Sequence, residues 1–281
     1  MNPLLPVLPL PREGGSGKGN SYYTKAIFCP RCVNLDEQAG TKEDSPRGAA
    51  AEGTMFHQMA ELYYKGASAE PHVIPISDVN WGDAITEARR VWASFIAKHP
   101  GVDHWGNVVA VEEKLPRNEE EAAAIKELMG VEYTLKPDLV VQLTIESLDR
   151  IKHLAPDLAL PPAGSYILLD WKTKGKADAD APLLYAQSDQ FASYVACWNA
   201  VDTRQANGTL VVEPISTKEV KFRYFFVSPP DETTMKVVRT KMANGAALVQ
   251  TNAALGVAHG CRSYNRWCHH HPYVGGSCTR Y

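Results

Sequence analysis

No run of apolar residues in this chain approaches the ~20 needed to cross a bilayer as a helix. The opening stretch MNPLLPVLPLPREGG has no basic segment ahead of its apolar residues and is broken by four prolines, so it does not read as a secretory leader. These absences lead us to expect a cytoplasmic protein with no membrane partner. Basic charge is not in excess: 29 Lys and Arg face 32 Asp and Glu, for a net charge of -3. That excludes a chain-wide positive field of the kind that coats nucleic acid, and leaves only a local basic groove. Cysteine is sparse, six residues placed as a pair (Cys29, Cys32), a singleton (Cys197) and a terminal trio (Cys261, Cys268, Cys278). In a reducing compartment such spacing points to metal ligation before disulfides. A phosphate-binding loop is missing too, because in GGSGKGNS the required first glycine falls on Arg12 and no Ser or Thr follows Lys18.

What is present is 281 residues, 44% hydrophobic and 22% charged, enough for one substantial core. Residues 1–20 read as a flexible arm, given their Pro/Leu pattern followed by GGSGKGN. Residues 21–281 read as a single domain whose last part, from about 256, is rich in Cys and His.

The richest stretch is YILLDWKTKGKADADAPLLYAQSDQFASY, Tyr166 to Tyr194. Ile167, Leu168 and Leu169 form an apolar run too short for a helix, so YILLDWK reads as a strand. Asp170 and Lys172 are two apart and therefore leave the same face of that strand. Such charges at the end of a buried strand need a partner or a metal. On the helix expected over Ala181 to Ala200, Gln190 and Tyr194 are four apart and share a face, while Leu184, Phe191, Val195 and Trp198 pack it to the sheet.

Upstream, RGAAAEGTMFHQMAELYYKG reads as an amphipathic helix from about Pro46 to Lys65, with His57 and Glu61 four apart. A second helix is expected over Ser77 to His99 and is assigned to packing. NVVAVEEKL, Asn107 to Leu115, is strand-like and ends on Glu112 and Glu113, of which strand alternation admits one to a shared site. VEYTLKPDLVVQLTI reads as a strand pair carrying Asp138, and DRIKHLAPDLALPPAGS as a long loop before the strand of Asp170. After the QxxxY helix come strands near Thr209 to Glu213 and Glu219 to Val227, then a helix from about Asp231 to Leu255.

An acid, then D-x-K at a strand end, then a helix with QxxxY, resembles the catalytic core of the PD-(D/E)xK nuclease superfamily, in particular its RecB-like and lambda-exonuclease-like branch. The resemblance implies an α/β fold, a restriction-endonuclease-like core with a central mixed sheet flanked by helices, and helical N- and C-terminal additions. It implies Asp138, Asp170, Lys172, Gln190 and Tyr194 as catalytic residues, and His57, Asp138, Asp170 and Glu112 as ligands of Mg2+ or Mn2+, with the carbonyl of Trp171. EGTMFH matches the family's G-x-x-x-H segment and PDLVV its small-x-Asp-apolar segment; Asp149 and Asp157 are the alternatives to Asp138. Lys172, next to the metal, is expected to have a lowered pKa. Lys174 and Lys176 are expected to bind DNA, with Lys218, Lys221 and Arg223 as further basic residues.

Cys29 with Cys261, Cys268 and Cys278 resembles the one-plus-three arrangement that holds a [4Fe-4S] cluster in CRISPR-associated adaptation nucleases and AddB-type nucleases, and would clasp the two chain ends. Zn2+ on Cys29-x2-Cys32 and His269, His270 and His271 is the rival. The implied activity is a DNA exonuclease leaving a 5′-phosphate, serving recombination or repair with partner proteins, of a size that suits a phage. The competing readings are a non-catalytic nucleic-acid-binding module of the same fold and a zinc-stabilised adaptor.

Overall fold

A sheet of five strands, in the spatial order β1-β2-β3-β4-β5, forms the centre of the computed structural model: β1 (Asn107–Val111), β2 (Leu139–Gln142), β3 (Tyr166–Trp171), β4 (Ala206–Ile215) and β5 (Lys221–Val227). The structure describes residues 18–28, 33, 49–66, 81–255, 262–263 and 266–267. Only the β3–β4 pair is parallel, so the sheet is mixed, as the resemblance implied. A parallel pair needs a crossover, and two helices, α6 (Ala181–Ala186) and α7 (Asp189–Val201), supply it.

Both faces of β3 are covered, which explains why YILLDW reads as a continuous apolar run. Ile167, Leu169 and Trp171 pack on one face against Met55, Phe56 and Met59 of α2 (Ala49–Tyr64) and Phe95 of α3 (Trp81–Lys98). Phe95 is the hub of that layer, with ring centroids 5.4 Å from Phe56 and 5.3 Å from Trp171. Leu168 and Val140 pack on the other face against Val195 and Trp198 of α7, Ile125 and Met129 of α4 (Glu119–Met129), and Met235 and Val238 of α8 (Glu232–Leu255). The N-terminal α1 (Asn20–Phe28) adds Tyr23 to this second layer, and β6 (Arg262–Ser263) pairs with β7 (Arg266–Trp267) near the C-terminus. None of the described helices is long and apolar enough to cross a membrane.

Three expectations need correction. The strand pair over 131–145 is only one strand, β2: Pro137 has no N–H to give to a ladder, and upstream of it Leu135 makes an isolated bridge to Leu115. The long loop before β3 contains a helix, α5 (Ile145–Leu154), fixed by a reciprocal capping box between Thr144 and Ser147. Asp149 and Asp157 lie on and after it, exposed. The helix expected over 181–200 breaks at Gln187 and Ser188, and Leu184 is 55% exposed because Ala181 and Tyr185 are the buried residues of α6.

The arm to residue 17, Cys29, Cys32, Cys261, Cys268, Cys278 and His269 to His271 lie outside the described residues. Cys197 is a buried free thiol in the core, its pKa pushed up by burial.

Candidate active site

The site forms where β1 ends and β2 and β3 run antiparallel with Leu139 opposite Leu169. Asp138 stands just before β2, and its Oδ2 accepts the backbone N–H of Trp171 at 2.8 Å, tying the two strand ends together. Its Oδ1 lies 3.2 Å from Nδ1 of His57, which α2 presents from the first helical layer. Asp170 is buried on β3, with Nζ of Lys172 2.6 Å from Oδ2 and the Gln190 amide donating to Oδ1 at 3.2 Å. Lys172 also lies 5.6 Å over the ring of Phe191, so its charge is held between Asp170 and α7. Tyr194, one turn beyond Gln190, is buried, and its hydroxyl pKa is raised by burial and then by the charge of Asp170.

Glu112 enters by a different route. It has a left-handed backbone, φ 50°, a conformation costing a non-glycine residue roughly 1–3 kcal/mol. Its N–H donates to the Asp138 carbonyl at 3.0 Å. Glu113 points elsewhere and pairs with Arg117 at 3.0 Å. The choice between the two glutamates is therefore made by a turn after β1 rather than by strand alternation. Ligand atoms of His57, Glu112 and Asp138 all fall within 4.8 Å of one another.

The electrostatics follow from crowding charges around the buried carboxylates of Asp138 and Asp170. Burial raises Glu112 to about 7, with the charge of Asp138 adding to it. Burial raises Asp170 to about 6 against the pull of Lys172. Asp138 goes the other way: burial is outweighed by His57, and its pKa is lowered. For His57 burial is outweighed by Asp138, and the imidazole rises to about 9. Lys172 is the correction to the sequence reading: burial alone would lower it, but Asp170 and Asp138 together hold it as an ammonium, with its pKa raised.

Carboxylate oxygens with one imidazole are a donor set suited to a hard divalent cation. The fit has a further mark: Asp170 Oδ2 is buried and has the charge of Lys172 beside it but no well-directed hydrogen bond. His57, Glu112 and Asp138 could hold such an ion.

Lys174 and Lys176 are exposed beyond the site; the backbone of Lys174 bridges to Ile215. Lys218 and Lys221 are exposed as well, whereas Arg223 is committed to the buried carboxylate of Glu213 at 2.7 Å. Three features escaped the sequence reading. Lys136 pairs with Glu112 at 2.6 Å; the signal was there, since Lys136-x-Asp138 mirrors Asp170-x-Lys172 on the facing segment. Gly53 lets α2 approach the residue after Lys172: a Cβ there would lie 2.8 Å from Thr173 Oγ1. Tyr185 of α6 donates to Glu213 at 2.6 Å, a long-range pairing that no local pattern announces.

Comparison with known proteins agrees with this architecture. No curated protein sequence matches the chain. A crystal structure of a protein from Eubacterium rectale named "putative exonuclease" superposes with a TM-score of 0.54 at 11% identity, over 87% of this chain and 88% of that one, a likeness of fold. The family model of the PD-(D/E)XK nuclease superfamily matches residues 21–273, most of the sequence, and this chain belongs to that superfamily.

Proposed function

We propose that this nuclease is a Mg2+- or Mn2+-dependent deoxyribonuclease of the RecB-like branch that degrades DNA from an end. Nucleases of the superfamily use divalent metals, and the family implies DNA as substrate. The observation that carries the reading is the convergence of Asp138, Asp170 and Lys172 with His57, linked through contacts of 2.6 to 3.2 Å. A bound divalent ion would supply Lewis acidity and an activated water. Asp138 and Asp170, with His57 and Glu112, would bind it. The Lys172 ammonium, fixed by Asp170, faces the charge that grows on a non-bridging phosphate oxygen, which suits an electrostatic role better than that of a base. Gln190 holds Asp170 in place, and Tyr194 backs it from the next turn. The oxygen of a water would bond to phosphorus as the bond to the 3′ oxygen breaks, with one water proton ending on the released 3′ hydroxyl and a 5′-phosphate on the other product. Lys174 and Lys176, exposed next to the site, would track the DNA backbone.

The name of the Eubacterium rectale protein favours exonuclease over endonuclease. In our reading residues 21–281 are one nuclease domain working in recombination or repair, and Cys29, Cys261, Cys268 and Cys278 bind a [4Fe-4S] cluster, with zinc as the rival metal.

The test is cleavage of end-labelled linear and closed circular DNA with Mg2+, Mn2+ or chelator, beside Lys172→Ala protein. We expect metal-dependent loss of the linear substrate only, at least about 100-fold slower in the variant. Cutting of the circle would make the enzyme an endonuclease. Absence of cutting by folded, metal-supplied protein would leave a DNA-binding module. Absorbance near 400 nm with iron analysis, against zinc analysis, decides the cysteine-bound metal.

A further inference from the structure

Lys136 has no part in the reaction described above, yet it is tied into the site. Its Nζ lies 2.6 Å from Glu112 Oε2, with only 22% of the side chain exposed. Glu61 of α2 lies near enough to add to its field, although Glu61 also pairs with Lys65 at 2.7 Å. Two lysines thus each cover one carboxylate of the site: Lys172 covers Asp170, and Lys136 covers Glu112.

Asp138, Asp170 and Glu112 would otherwise suffice for two divalent ions, which in two-metal sites stand roughly 3.5–4 Å apart. A second Mg2+ on Glu112 would need a position about 2 Å from one of its oxygens. The ammonium 2.6 Å from Oε2 already occupies the space beside that oxygen, which leaves Oε1 for the first ion and repels a second cation. We propose that Lys136 is a built-in substitute for a second divalent cation, so that the site holds a single ion centred on Asp138.

The charge balance supports this. With His57 neutral as a ligand, two ammoniums and one divalent ion against three carboxylates leave one net positive charge, matching a single phosphodiester. A second ion would triple it. The left-handed backbone of Glu112 serves the same arrangement, because it turns the carboxylate toward Lys136 and Asp138 at once.

This inference rests on the nuclease reading but is tested separately from it, by calorimetric titration of the full-length protein with Mn2+. The wild type should bind one ion per chain at this site, and Asp138→Asn should lose it. Lys136→Arg should still bind one. Lys136→Met should gain a second ion, or bind about tenfold more tightly if the freed Oε2 of Glu112 joins the first ion as well. Two ions or none on the wild type would overturn the proposal whether or not the Met variant folds. So would unchanged count and affinity in a Lys136→Met protein with native circular dichroism. An enzyme that cuts DNA with two ions refutes only this inference; a protein that binds one ion and cuts nothing refutes only the nuclease reading.

Discussion

Asp138 serves two partners with its two oxygens: Oδ2 accepts the Trp171 N–H at 2.8 Å and Oδ1 faces His57 Nδ1 at 3.2 Å. One oxygen joins strand ends and the other joins the sheet to α2, so architecture and chemistry meet in one carboxylate. Asp138→Asn keeps an acceptor for Trp171, whereas Asp138→Ala strands a buried N–H at a cost of about 1–3 kcal/mol. We expect both variants to lose cleavage and only the alanine variant to lose substantial thermal stability. Equal melting temperatures in the two variants would show that the bond to Trp171 contributes little.

Gly53 offers a test of how α2 is seated. Glycine to alanine inside a helix ordinarily stabilises by about 1 kcal/mol. Here the added Cβ would meet Thr173 Oγ1 at 2.8 Å and nothing else within 4 Å. Gly53→Ala should therefore be destabilising in the wild type and stabilising in a Thr173→Ala background, a change of sign read by chemical denaturation in a double-mutant cycle. Because Thr173 follows Lys172, the single variant should also slow cleavage. Simple additivity would mean that the contact is not felt.

Glu213 is fully buried on β4, held by the Tyr185 hydroxyl at 2.6 Å and by Arg223 Nε at 2.7 Å, while Arg223 also donates to the Asp178 carbonyl at 2.6 Å. These bonds fasten α6 and the segment after Lys172 to the sheet. Tyr185→Phe should cost about 1–3 kcal/mol. Arg223→Met leaves a buried carboxylate without its counter-charge and should cost roughly 3–5 kcal/mol. Urea unfolding gives both numbers, and an Arg223 variant milder than the Tyr185 variant would contradict the ranking.

His99 and His104 are both buried, and burial lowers them from the ordinary 6.5 to about 3 and about 4. The folded state then binds fewer protons than the unfolded chain below 6.5, so stability is fully present above that pH and falls as the solution is acidified toward those lower values. Between pH 7 and 5 each histidine should cost about 2 kcal/mol of stability. The measurement is the pH dependence of unfolding free energy for wild type and His104→Phe, whose slope should be shallower. An unchanged slope would mean that His104 is already protonated in the folded state.

Much was legible locally. The apolar run of β3 between turn residues, the Asp170-x-Lys172 spacing, and the helical spacing of Gln190 and Tyr194 follow from periodicities of two and 3.6, which need no knowledge of the rest of the fold. The break of the α6–α7 segment was harder to read, because an apolar Leu184 looks the same whether it packs or not. What selects Ala181 and Tyr185 for burial instead is the Val211 face of β4.

By itself the sequence determined the covered strand, the helices and strands that flank it in order apart from α5 and the α6–α7 break, and the identities of the charged residues available to a site, since these are properties of neighbours along the chain. The tertiary structure alone decided which charges meet. It turned Glu112 inward through a left-handed backbone and Glu113 outward to Arg117. It set Lys136 on Glu112, and it kept Lys172 an ammonium when burial alone would have lowered its pKa. Those outcomes depend on Coulomb interactions over a few ångströms between residues far apart in the chain, and only the packed sheet brings them within that range.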